Sequence, residues 1–155
     1  MSVQKIKAIA GMRLKSTPED VQSMPMTGSG TLSDGMAVFD AGNGEQCAAY
    51  AEGLRPIGLV VFSNIGKSGI GSDGKEAFKQ FDVVPVMRVG RIWVKPTAPI
   101  TATGGKVYVR TANADSTHPI GSLQPGATNG TELVGATWDS LTSEDGLAIV
   151  RLRGA

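Results

Sequence analysis

A chain of 155 residues, 41% of them hydrophobic, is long enough for one domain with a real core. A formal net charge of +1 argues against a protein that gathers nucleic acid or lipid through its overall field. No apolar run approaches the roughly 20 residues of a membrane-spanning helix, and one cysteine, Cys47, rules out an internal disulfide framework. The 21 Gly and 8 Pro point instead to many short strands joined by many turns.

The elements are taken in chain order. Residues 1–30 read as an extended N-terminal arm, in which residues 1–15 scatter Val3, Ile6, Ile9, Met12 and Leu14 among Lys5, Lys7, Arg13 and Lys15 and hold no acid. The start VQKIKAIAGM is too polar for a signal peptide. Thr17-Pro18-Glu19-Asp20 carries a hydroxyl cap, a first-position proline and first-turn acids, which predicts about two helical turns before Pro25. Gly35–Phe39 is a short strand candidate. Gln46–Leu54 is ambiguous between helix and strand, and Cys47 within it reads as a small buried hydrophobe. Pro56–Ser63 (PIGLVVFS) is a continuous apolar run, which implies a strand buried on both faces.

Residues 64–75 form a Gly- and Ser-rich loop, and Asp73 with Glu76 resembles a capping box that predicts a helical turn or two over 74–80. Phe81–Lys95 (FDVVPVMRVGRIWVK) is the densest run of strand formers, and Gly90 is expected to fold it back as a hairpin through a turn or bulge. Beyond Gly90 the alternation puts Ile92 and Val94 on a core face and Arg91, Trp93 and Lys95 on the opposite one. Lys106–Arg110 (KVYVR) alternates likewise, with Val107 and Val109 inward and Lys106, Tyr108 and Arg110 outward. Residues 111–132 read as a long polar loop; Leu133–Trp138 and Gly146–Leu152 are the last strands. The fold class is all-β: a single antiparallel β-barrel or β-sandwich over residues 31–155, with little helix.

No catalytic or metal set emerges, and neither a metal nor another cofactor is expected. Gly69-Ile70-Gly71-Ser72-Asp73-Gly74 satisfies G-x-G-x-x-G, and with Lys75 it mimics part of a P-loop. The preceding strand ends too early, however, and Glu76 stands where a P-loop needs Ser or Thr. His118 is the sole histidine, far in sequence from Cys47, and reads as an exposed loop residue. The remaining signal is the shared outer face of Arg91, Trp93, Lys95, Lys106, Tyr108 and Arg110. Arg, Trp and Tyr dominate protein-interface hot spots. Aromatics interleaved with cations also suit a small OB-like barrel that binds single-stranded nucleic acid, which is the alternative reading.

The succession DGMAV, IGLVVF, VVPVMRVGRIWV, GGKVYV, GATWDS and GLAIVRL, over roughly residues 34–152, resembles the structural cement or head-decoration proteins of tailed bacteriophages. The matching stretches are Ile57–Phe62, Val83–Val94, Gly104–Val109 and Gly135–Trp138. The resemblance implies a non-enzymatic protein on the outer surface of the virion capsid, made in the host cytoplasm. It implies that the protein locks neighbouring major capsid protein subunits, often as a homo-oligomer (a dimer or trimer). Consistent with the near-neutral charge, no membrane or nucleic-acid partner is expected. The expected contact residues are Ile6, Ile9, Met12 and Leu14 of the arm, which would order on docking, together with the six outer-face residues.

Overall fold

The computed structural model describes residues 8–15, 18–42, 44–50, 52–71 and 73–153. Among them are twelve strands and no helix: β1 (Arg13–Leu14), β2 (Asp20–Pro25), β3 (Ala37–Asp40), β4 (Cys47–Ala48), β5 (Pro56–Val60), β6 (Gly69–Ile70), β7 (Glu76–Ala77), β8 (Val83–Val94), β9 (Lys106–Arg110), β10 (Leu123–Gln124), β11 (Gly130–Trp138) and β12 (Ala148–Leu152). Ten of them form one antiparallel sheet in the order β10-β9-β11-β12-β8-β5-β3-β4, with β1 and β2 also paired to β8. The sheet curls into a half-barrel. Its far rim is tied back to the exit of β8, where Pro96 bridges Leu123 and the Thr97 amide donates to the Leu123 carbonyl at 3.0 Å.

Two apolar clusters lie on opposite faces of the first strands. Ala37 and Phe39 of β3, Leu59 of β5 and Met87 of β8 point into the half-barrel, where they meet Ile92, Val94, Val107, Val109, Trp138 and Val150. Val38, Ile57, Val60, Val84 and Val86 point the other way, against Met24, Met26, Leu32, Cys47 and Phe78. The continuous apolar run of β5 is therefore buried on both faces, as its sequence implies. The alternating strand β9 buries Val107 and Val109 and leaves Lys106 in solvent. Pairing the first strands through both clusters requires a close backbone approach at Gly58, where a Cβ would run into the Met87 carbonyl oxygen.

Three local expectations are corrected. The run 81–95 is not a hairpin, because β8 continues unbroken through Gly90. Gly90 adopts φ 142°, and a Cβ there would come within 2.9 Å of the Met87 Sδ. It stands where β8 exchanges partners: β2 and β5 pair with its first half, β1 and β12 with its second. The helix expected after Thr17 is replaced by β2, which follows β8 from Asp20 to Pro25. Val21 packs on the half-barrel cluster and Met24 belongs to the other, so ladder and packing override the local cap signal. The turns expected over 74–80 are instead the β6–β7 hairpin followed by a Phe78–Leu32 bridge.

The described part of residues 1–30 is extended but not a free arm. β1 and β2 are both hydrogen-bonded to β8, and Gly11 donates to the Trp93 carbonyl at 2.7 Å. The polar stretch 111–132 contains β10 and the start of β11. Its Gln124 is buried, and the side-chain amide donates to the Gly126 and Thr128 carbonyls, each at 2.7 Å, which holds that loop together.

Candidate interaction surface

The core-facing residues of β9 and of β8 beyond Gly90 fall in one cluster, so the alternate residues of these stretches share the convex outer face of the half-barrel. They are not neighbours, because β12 and β11 lie between them. Register draws a row across this face: Arg91 is opposite Arg151, Arg151 opposite Thr137, and Thr137 opposite Lys106. Trp93 is half-buried opposite Ile149, and Lys95 just beyond β8 is exposed.

Most cations of this face already have partners within the chain. Arg91 Nε donates to Asp139 Oδ2 at 2.8 Å, and Arg151 Nη2 shares that oxygen at 3.4 Å. Lys106 lies 3.4 Å from Glu132 across the β9–β11 ladder. Arg110 turns back to donate to the Ala112 and Asn113 carbonyls, each at 2.8 Å, and so braces its own loop. Tyr108 is half-buried between Gln124 and Glu132. Of the expected arm contacts, Leu14 pairs with Arg91, and the Met12 carbonyl accepts from the Trp93 amide at 2.9 Å. Both side chains are half-buried, while Ile9 is exposed just before them. Ile6 lies outside the described residues. The structure thus gathers Met12, Leu14, Arg91 and Trp93 and sets Lys106, Tyr108 and Arg110 apart. The acids that pair with this face, Asp139 with Arg91 and Arg151 and Glu132 with Lys106, are the residues sequence reasoning missed. Each arrives through sheet pairing.

The glycine motif at 69–74 folds on itself. The Gly71 amide donates to the Lys75 carbonyl at 2.8 Å and the Gly74 amide to Gly71 at 3.0 Å, while Asp73 Oδ1 accepts from the Lys75 amide. With the Gly71, Gly74 and Lys75 amides engaged inside the loop and strand β7 in place of a following helix, these amides are not offered to a phosphate. His118 belongs to a local turn. Asp115 Oδ1 accepts from the Thr117 hydroxyl at 2.8 Å and from the Thr117 and His118 amides at 2.9 and 2.7 Å. Donation by the Thr117 hydroxyl, followed by that of His118, holds the Asp115 carboxyl far below the usual carboxylate range. Among the described residues, no group of three His, Cys, Asp or Glu could hold a metal ion. A cleft of about 270 Å³ opens among Leu32, Met36, Phe39, Tyr50 and Ile120, and its lining is mainly apolar.

Antiparallel strands, internally paired charges and a mixed aromatic surface define a β scaffold suited to contact with other macromolecules. Residues 2–153 match the family model of the structural cement protein (E217 gp24/Pam3 gp6), and the chain belongs to that phage family. It is accordingly a cement or decoration component of a virion capsid, as the sequence motifs imply. A solved chain from the capsid of Myoviridae phage XM1 has the same fold: TM-score 0.68 at 18% identity, covering 97% of this chain and 94% of that one. No curated protein matches.

Proposed function

We propose that the protein binds the outer surface of the capsid lattice across seams between major capsid protein subunits, as a dimer or trimer and without catalysis. The supporting observation is the convex face around Trp93. It offers a half-buried aromatic with Leu14 and Met12 beside it, while Arg91 and Arg151 share Asp139 and Lys106 pairs with Glu132. This pairing lowers the cost of burying the face and leaves an excess positive charge for the partner to meet. Many weak copies on a repeating surface hold by avidity and need no deep pocket. The same pairing disfavours a nucleic-acid platform, since Trp93 and Tyr108 stand on strands separated by two others.

The test is co-sedimentation of the purified protein with cognate capsid shells, together with the shell melting temperature. Binding that varies little between 50 and 200 mM salt (roughly the range over which phosphate contacts are lost) is expected. Trp93→Ala is expected to keep the fold and weaken shell binding by about tenfold or more. Steeply salt-dependent binding to oligodeoxythymidine, with no shell binding, would refute the proposal. Light scattering reads the oligomeric state.

A further inference from the structure

Among the described residues, five of the eight exposed large hydrophobics lie on one excursion that leaves β5 and ends at the first residue of β8: Phe62, Ile65, Ile70, Phe81 and Val83. The excursion is firmly built. Lys67 is buried against Asp34 at 2.7 Å, and its ammonium stands 5.4 and 5.6 Å from the ring centres of Phe62 and Phe78. Asp82 staples it from the far side, where Oδ2 accepts from the Ser68 and Lys79 amides, each at 2.9 Å, and Oδ1 from the Ser68 hydroxyl at 2.7 Å. Gly66 lies beside Val83, since a Cβ on it would stand 4.0 Å from the Val83 carbonyl oxygen, and this brings the neighbouring Ile65 to the start of β8.

Phe81 is the anomaly. It is 85% exposed and its φ is 76°. A bulky residue is an outlier in that left-handed region. The turn uses its backbone, as the Phe81 amide donates to the Met26 carbonyl at 2.9 Å. Its ring stands in solvent and, among the described residues, joins no aromatic pair, the one such pair being Phe39 with Tyr50. A strained backbone carrying an unburied aromatic lowers the stability of the free protein, and such strain concentrates at functional contacts.

We propose that Ile65, Phe81 and Val83 form a preorganised apolar knob that docks on an apolar surface of the capsid shell. The proposal rests on the capsid-binding reading and adds a second contact, away from Trp93. Two observations favour this occupant. The charged groups that build the knob are engaged within it, Lys67 with Asp34 and Asp82 with backbone amides and the Ser68 hydroxyl, so neither needs a partner from outside the chain, and what the three side chains offer is apolar. The exposed part of the three side chains comes to about 400 Å², the scale of a functional surface patch. That is about half of the roughly 800 Å² per partner of a stable interface, too little for a dimer in solution but enough for one contact among many on a lattice.

The experiment compares the wild type with Phe81→Gly and Ile65→Ser. Melting of the free proteins, co-sedimentation with cognate shells and sedimentation velocity without shells are measured on each. Phe81→Gly is expected to melt no lower than the wild type, because glycine accepts φ 76°, while shell affinity falls about tenfold or more. Ile65→Ser is expected to weaken shell binding in the same direction with an unchanged melting temperature. Wild-type binding to shells matched by both variants overturns the knob and leaves the capsid-binding reading standing. Failure of the wild type to bind shells overturns that reading, and the knob with it. Loss of a self-associated species in Phe81→Gly without loss of shell affinity assigns the patch to a second copy of the chain and overturns the shell as its occupant. A melting temperature more than about 5 °C lower in Phe81→Gly makes the ring structural and overturns the proposal as well.

Discussion

The two halves of the sheet obey different rules. β3, β4 and β5 lie between two apolar clusters and are buried on both faces, whereas β9 and the second half of β8 bury one face and show the other to solvent. A strand between two cores can hardly vary, because either face of the pleat meets packed neighbours. A strand with one wet face can carry surface chemistry at every second residue. The molecule accordingly builds its rigidity near Phe39 and Leu59 and displays its polar and aromatic surface from Arg91 to Lys95 and along β9.

The sharpest way to break this contrast is to empty one core position and one outer position. Phe39 is fully buried and meets Tyr50 edge-on with ring centres 5.1 Å apart. Phe39→Ala is expected to cost about 3–5 kcal/mol in urea unfolding. Lys106→Ala, which removes a half-solvated ion pair, is expected to stay within about 0.5 kcal/mol. Equal losses would show that the outer face also contributes to the fold.

A smaller effect is expected at the seam between the clusters. At Gly58 a Cβ would collide with the Met87 carbonyl and lie 2.9 Å from Val86 Cγ1. Gly58→Ala is expected to cost about 1–3 kcal/mol by forcing β5 from β8, with loss of amide-exchange protection at Val60 and Val61 before that at Val107. Uniform loss of protection would mean that the two halves unfold as one unit.

The mildest probe is the thiol of Cys47 in the outer cluster. Burial pushes it up from 9.0 to about 11. The folded state therefore holds the proton more tightly than the unfolded chain does. The resulting stabilisation is complete below pH 9 and drains away as the pH rises towards 11. Melting temperatures across that window should fall less for Cys47→Ala than for the wild type. Native protein at pH 8 should resist iodoacetamide until denaturant opens the cluster. Prompt alkylation would show that this cluster is loose.

The strands that were legible in the sequence are those whose pattern is enforced on the spot. The apolar run at 56–63 and the alternations at 92–95 and 106–110 each declare how many faces are buried, and the all-β class follows from them. What the sequence did not disclose depends on partners remote in the chain. The cap-like Thr17–Asp20 segment becomes strand because β8 offers it a six-residue ladder. Gly90 carries the φ of a turn, yet both edges of β8 are occupied on either side of it, so no reversal occurs. The six outer residues read as one face in the sequence, but the separation of β8 from β9 by β11 and β12, and the pairing of Arg91 with Asp139 and of Lys106 with Glu132, depend on sheet order. Phe81 gave no signal at all, because an exposed aromatic and a buried one are spelled alike.

The unbroken course of β8 has a mechanical consequence. Twelve residues at about 3.3 Å each make a cable of roughly 40 Å that is gripped along both edges by other strands. Tension applied at one end is shared as shear among many parallel hydrogen bonds and is not peeled off them one by one. A fastening threaded by such a cable yields as a whole or hardly at all.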